Sequence, residues 1–463
     1  MGRKKDFFKG LAIEELEKDN PEAWQEYPVF YFDFNKENYK RDTALEDVLA
    51  EHLSEWEKQY CIDGSNVPLE ERFRKLIVKA YEETGKQVVV LVDEYDKPLL
   101  EVMTDGDLEE HNKAVFKGFF STLKSYDQYL KFVFLTGVTK FSKVSIFSNL
   151  NQLKDISLSN DYSAICGITE EELLMTFSPE IDEMSKENDI SRDECIDQLR
   201  RTYDGYHFSK SSVGVYNPFS LINAFSDRGF SAYWFSTGTT TFLLEKLKQI
   251  NFDAKRFTGE DVYADEQSLT DYRGDNPDPI PLFYQTGYLT IKGYDKKFES
   301  YQLGYPNNEV KYGFIRSLAP MYLHQANNSP LDIRNFGRDI ENANLDGLRD
   351  RFIELFARLP YSDDKKYVER DFQNVIYIVF MLLGQFIHTE IHTSRGRADC
   401  VVEADDYIYL FEFKRDKSAD EAIKQIKDKG YMDAYAADKR QLIRIGVNFD
   451  SEKCTVDEWK VVR

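Results

Sequence analysis

Three residues near the end of the chain have the types and spacing for chemistry on a phosphate. They are Asp399, Glu412 and Lys414, in the stretch RADCVVEADDYIYLFEFK (397–414). The stretch reads as two strands joined at Asp405–Asp406. A two-residue turn there, or a four-residue turn from Ala404 to Tyr407, gives one register: Val401 opposite Leu410, Asp399 opposite Glu412, Arg397 opposite Lys414. Cross-strand Cβ atoms lie about 4.5–5.5 Å apart. Two carboxylates so close repel, and one pKa rises unless a cation sits between them. A hard divalent ion such as Mg²⁺ takes one or two carboxylates and keeps waters and substrate oxygens. Ile408, Leu410, Glu412 and Lys414 share a face. The Lys414 ammonium can therefore orient water or stabilise a developing phosphorane charge. A solvated charge cluster at a strand end is the bland alternative for a bare D…ExK pattern. The apolar strand behind each acid and the matched register argue against it.

The elements that must position these residues follow from periodicity. A helix is expected over about 367–386, a strand over 387–393, the hairpin, a helix over 419–436, a strand over 441–449 and a short strand over 459–462. Ser418 and Glu421 form an S-x-x-E capping box, and Ala419, Ala422, Ile423 and Ile426 give the second helix its apolar stripe. Upstream, strands at 27–34, 87–96 and 131–142 alternate with helical patterns such as 69–84 and 111–126, which predicts a mostly parallel sheet. From about Asp161 the character changes. Residues 169–184 and 191–208 read as helices introduced by N-caps, and aromatics and turns follow. GDNPDPIP (274–281) reads as a loop held open by its prolines. The chain of 463 residues thus divides into an α/β core (1–160), a helical and mixed connecting or lid region (161–345) and a C-terminal domain (346–463).

A second acidic set ends the strand VVVLVDEYDKPLL. Asp93 and Glu94 sit where the carboxyl edge of a parallel sheet meets a nucleotide. The first acid of such a site holds Mg²⁺ and the second polarises water. FLTGVTKFS follows at the distance of the next core strand. It carries Thr139 as a sensor-like polar residue, the third member of this nucleotide-binding set.

The C-terminal order, with Asp…Glu-x-Lys, resembles the PD-(D/E)XK nuclease superfamily over about the last hundred residues. The resemblance implies a restriction-endonuclease-like αβββαβ domain. Its metal ligands would be Asp399, Glu412 and the Phe413 carbonyl, with Lys414 catalytic. Glu369 of YVERDF would be the acid of the first helix, and Gln425 of AIKQIKDKGY the polar residue after the Lys. Ala398 stands where a Pro often precedes the Asp. With DFFKGLAI and YDGYHF…YNPFSL, the DEYD strand makes nearly the whole chain resemble bacterial AAA-ATPase-like proteins with a C-terminal PD-(D/E)XK domain. In that family a P-loop strand and helix precede the FFKGL region. This sequence begins there and contains no G-x-x-x-x-G-K-[ST], so the backbone cradle for phosphates is missing. The expectation is an α/β protein with an AAA-like P-loop-type core lacking its Walker A unit. It would be a Mg²⁺- or Mn²⁺-dependent nuclease acting on DNA ahead of RNA. ATP would bind only if a P-loop is supplied upstream, and ATPase activity is not expected. The alternative is an ATP-responsive switch, or a nucleic-acid- or protein-binding module without cleavage.

The formal net charge of -22 argues against a polyanion-binding surface over the whole protein. It leaves room for a local basic cleft. Arg395 and Arg397 flank the acids and are candidates for the nucleic-acid backbone; Lys424, Lys427 and Lys429 add charge on the next helix. His388 and His392 in IHTEIHT fit a sheet surface and not HExxH, and His207 reads as structural. The 5 Cys have no metal-ligand spacing and fit a reducing compartment. With no signal-peptide core and no long apolar run, the expectation is a cytoplasmic protein that does not enter a membrane.

Overall fold

The computed structural model describes residues 5–64, 66–103, 105–139, 153–234, 243, 247, 262–270, 278–322, 333–357, 365–384, 388–391, 399–431, 433–453 and 455–463. Arg395, Arg397 and His392 lie outside the described residues, as do the side chains of Glu369 and His388. The chain forms two compact units. One is Met1–Asp155 with Gln267–Asn276, the other Ile156–Glu266 with Pro277–Arg463.

In the first unit, β1 (Val29–Asp33), β2 (Val88–Asp93) and β3 (Leu130–Leu135) form a parallel sheet in the order β1-β2-β3. Alternation decides which side of it is covered. Phe30 and Phe32 are buried, and their rings pack on Trp56, Phe73 and Phe119. These belong to helices Ala44–Gln59, Leu69–Thr84 and Gly106–Ser125. Gly85, at φ 66, ends the second helix in the left-handed conformation that a side chain would resist. Strand β2 stops at Asp93 because Glu94 turns the chain with φ 51. The rest of the DEYD motif is therefore a turn.

In the second unit, β4 (Ile168–Thr169) pairs with β5 (Val215–Tyr216). Helices Glu170–Thr176 and Arg192–Tyr203 start on full capping boxes, Thr169 with Glu172 and Ser191 with Glu194. The single helix expected over 169–184 breaks at Phe177, and Pro179 in the first turn restarts it as Ser178–Glu187. Strands β6 (Tyr263–Asp265), β7 (Thr290–Asp295) and β8 (Ser300–Gly304) form an antiparallel sheet in the order β6-β8-β7. The expected loop at 274–281 is corrected at its end. Helix Ile280–Gln285 starts there with Pro in its first turn, where proline is compatible with a helix; residues 274–277 lie outside the described residues.

The end of this unit carries the elements predicted around the hairpin. After helix Lys365–Leu383 come β9 (His388–Ile391), β10 (Cys400–Glu403), β11 (Tyr407–Arg415), helix Ala419–Asp428, β12 (Gln441–Asp450) and β13 (Thr455–Val462). The sheet order is β13-β12-β11-β10-β9, with β11 parallel to β12 and the other pairs antiparallel. Helix Ala419–Asp428 packs on one face, where Val401, Ile408, Leu410, Ile423 and Ile426 form a core. On the other, Phe411 packs on Phe380 and Phe413 on Phe372. Covered on both faces, β11 is buried from Ile408 through Glu412. The helix is shorter than the expected 419–436, because Gly430 at φ 62 turns the chain away. Strand β13 is longer than expected: Asp457 and Glu458 hide an edge strand, where charges blunt pairing with other chains.

Candidate active site

The hairpin has the register read from its turn. Val401 pairs with Leu410 and Glu403 with Ile408, and the Ala404 N–H donates to the Tyr407 carbonyl (2.8 Å). The ladder ends at Cys400–Phe411, which puts Asp399 next in line, across from Glu412. Asp399 Oδ2 accepts from the Phe413 N–H (2.9 Å), joining the first acid to the main chain beside the second. Glu412 is 1% exposed. Its Oε1 accepts from Lys414 Nζ (2.8 Å) and from Gln425 Nε2, while Gln425 Oε1 accepts from Lys414 Nζ (2.8 Å). Its Oε2 is buried and has no hydrogen-bond partner. Burial, and then the negative charge of Asp399, raise the Glu412 pKa above the ordinary carboxylate value; the Lys414 ammonium opposes them.

Local structure explains why Gln425 reaches this point. Ser418 Oγ accepts from the Glu421 N–H, and Glu458 of β13 takes the Ala419 N–H (2.7 Å), so two of the free donors at the helix start are held by side chains. Gly446 of β12 lies beside Glu412 in the sheet. A Cβ on it would collide with the Ala419 carbonyl and stand 2.9 Å from Ile423 Cγ1. The bare glycine thus lets the helix lie directly on the strand and brings Gln425 down to Glu412.

The structure brings together Asp399, Glu412, Phe413, Lys414 and Gln425. Glu369 lies on helix Lys365–Leu383. Lys424, Lys427 and Lys429 are exposed. Sequence reasoning missed Gly446, although an isolated glycine within a strand signals close backbone approach. It also missed Tyr431, whose hydroxyl is 3.4 Å from Gln425 Nε2. An orphaned buried carboxylate oxygen beside a second carboxylate suits a hard divalent cation, which favours oxygen ligands. Among the described residues no three His, Cys, Asp or Glu side chains gather as a ligand set, so the fit rests on two acids with main-chain oxygen.

At the carboxyl edge of the first sheet, Asp93 accepts from Thr136 Oγ1 (2.5 Å) and from the Tyr31 hydroxyl (3.0 Å). Thr139 is joined to a different acid. Its N–H and hydroxyl both donate to Asp96 Oδ2, and the Val138 N–H donates to Oδ1 (3.1 Å). Asp96 is 1% exposed, and burial raises its pKa despite these donors. Burial likewise raises the pKa of Glu94. The sequence reading missed Asp96, Thr136 and Tyr31. The signal for Asp96 was a third acid in a motif where two are expected; Tyr31 and Thr136 had none.

Comparisons with known proteins agree with both ends of the chain. Residues 1–147 match a family model described as "Predicted AAA-ATPase", of AAA-ATPase-like type, and residues 367–459 match one for the PD-(D/E)XK nuclease superfamily. A protein of Azotobacter chroococcum mcd 1, described as an uncharacterized protein in the vnfD 5' region, is 34% identical over 464 residues, spanning 97% of this chain and 85% of that protein. The chain belongs to the family in which an AAA-ATPase-like domain is joined to a C-terminal PD-(D/E)XK nuclease superfamily domain. Among the described residues no helix is long and apolar enough to cross a membrane.

Proposed function

We propose that the chain is a divalent-metal-dependent nuclease that hydrolyses phosphodiester bonds in DNA, with its chemistry in a domain that begins near residue 346. The observation that carries this reading is Glu412. It is a buried carboxylate with Oε1 tied to Lys414 and Gln425 and Oε2 left without a partner, opposite a second acid. Asp399, Glu412 and the Phe413 carbonyl would hold Mg²⁺ or Mn²⁺. The bound ion would supply Lewis-acid charge for attack by water on phosphorus. Lys414, whose side chain is 15% exposed, holds an ammonium at the rim, where it donates to an incoming water or to a phosphate oxygen. Gln425 bonds to both members of the Lys414–Glu412 ion pair and so fixes their geometry. Glu369, Arg395 and Arg397 belong to the same proposal, the first as an acid of the site and the arginines as contacts for the phosphate backbone.

The test is cleavage of labelled single-stranded, duplex and branched DNA, and of RNA, by the full chain in Mg²⁺, Mn²⁺ or EDTA. DNA should be cut only with metal. Lys414→Ala should lower the rate roughly a hundred- to thousandfold while leaving the fold and most metal binding intact. Metal-independent cutting, or an Ala variant as fast as the parent, would refute the assignment.

A second reading rests on the Asp93 cluster, where two hydroxyls converge on an acid at the carboxyl edge of a parallel sheet. In it the chain is an ATP-responsive switch that binds nucleic acid or protein without cutting. It predicts nucleotide binding by calorimetry and no metal-dependent product.

A further inference from the structure

Glu412 is fixed by a glutamine that is itself held from outside the ligand set. Helix Ala419–Asp428 ends in a Schellman arrangement. The Gly430 N–H donates to the Lys427 carbonyl (3.1 Å) and the Tyr431 N–H to the Ile426 carbonyl (3.4 Å), with Gly430 at φ 62. This reversal folds Tyr431 back along the helix it has just left. Its ring packs on the core that contains Ile423 and Ile426, and its hydroxyl reaches Gln425 Nε2 at 3.4 Å. The two ends of the Gln425 amide therefore have separate duties. Oε1 accepts from Lys414; Nε2 donates to Glu412 Oε1 and to Tyr431. A flipped amide would set its NH₂ against an ammonium and its oxygen against a carboxylate. These charges choose which way the amide faces. The Tyr431 hydroxyl, which can donate or accept, adds a third contact from the end of the same helix that fixes where the amide sits.

We propose that Tyr431 is a positioning residue for the Asp399/Glu412 site: its hydroxyl orients the Gln425 amide so that Glu412 keeps Oε1 bonded within the protein and presents Oε2 to a divalent cation. The inference rests on the reading of Asp399 and Glu412 as a metal site. The aromatic ring serves packing and the hydroxyl serves the amide, so Tyr431→Phe separates the two. Outer partners of metal-ligating side chains typically contribute about 10–100-fold in metal affinity or activity.

The test uses the full chain labelled with ¹⁵N-glutamine, the Gln425 side-chain amide being assigned by its loss in Gln425→Leu. Mn²⁺ is titrated in, and the paramagnetic broadening of that amide gives the midpoint without any turnover. Tyr431→Phe should move the amide proton shifts of Gln425 before metal is added. It should also raise the Mn²⁺ midpoint about tenfold or more, with the thermal midpoint unchanged. On DNA, kcat should fall while KM holds, because the hydroxyl touches Gln425 and not substrate. A parental Mn²⁺ midpoint in Tyr431→Phe overturns the proposal, whatever happens to stability or cleavage. A parent protein whose Gln425 amide is not broadened by Mn²⁺ overturns the proposal and the metal reading together. A parent that cuts nothing but shows a Tyr431-dependent midpoint upholds the proposal and removes only the nuclease reading.

Discussion

Gly446→Ala should uncouple Gln425 from the acids by a methyl group wedged between the helix and the strand on which it lies. The new Cβ would run into the Ala419 carbonyl and would stand 2.9 Å from Ile423 Cγ1 and 3.1 Å from Ala422 Cβ. Carbon atoms settle at about 3.5–4.0 Å, so the first turns of helix Ala419–Asp428 must retreat by roughly 0.5–1 Å. Such overpacking costs about 1–3 kcal/mol. At about 3 °C per kcal/mol, the thermal midpoint of this unit should fall by roughly 3–9 °C. The same retreat stretches the 2.8 Å bond between Lys414 and Gln425 beyond the usual limit of about 3.2 Å. A misplacement of about 1 Å can lower a rate about a hundredfold. The assay is differential scanning fluorimetry with DNA cleavage in Mn²⁺. Gly106→Ala is the control, because a Cβ there meets nothing within 4 Å and should be neutral to slightly stabilising. Parental stability and parental cleavage in Gly446→Ala would refute the close packing of helix on strand, and with it the account of how Gln425 is placed.

Other measurements test the remaining parts. Asp96→Ala should destabilise the first unit by about 3 kcal/mol or more, since it orphans the Val138 N–H and both Thr139 donors at about 1–3 kcal/mol each; chemical denaturation reads it, and a loss below about 1 kcal/mol would rule out a structural role for these bonds. Burial holds the Asp96 pKa above its unfolded value, so its contribution is full below about pH 4 and is lost as pH rises through the folded pKa. The stability of the parent relative to Asp96→Asn should therefore decline from about pH 4 upward, and a difference constant with pH would contradict this. Asn217 Oδ1 accepts from the Phe219 and Ser220 N–H groups at the start of helix Pro218–Asp227. Asn217→Ala should cost about 1 kcal/mol and Asn217→Ser much less, and equal losses in the two would exclude a capping role.

The hairpin that joins Cys400–Glu403 to Tyr407–Arg415 was legible from the sequence because its period is two and its turn admits one register. Those facts alone set Asp399 across from Glu412 and put Lys414 on the same face. The helix caps at Thr169, Ser191 and Ser418 were legible for the same reason: a cap is a local bond between a side chain and a main-chain N–H three residues on. Helix ends were less so. Phe177 and Gly430 stop helices whose apolar stripe would have run further, because a φ value or a proline outranks periodicity.

Only the tertiary structure decided what the acids meet. Nothing near Gln425 in the sequence says that its amide touches both Glu412 and Lys414. That depends on Gly446, some twenty residues further on, letting a helix lie against a strand. Nor does the DEYD motif announce that Asp93 binds Thr136 and Tyr31 while Asp96 takes Thr139. Those pairings arise from parallel strands far apart in the chain whose ends share one sheet edge. The sequence carried the chemical types and their local register, which short-range geometry dictates. Burial, and so the raised pKa of Glu412 and its unpartnered Oε2, came from long-range packing that covers both faces of β11.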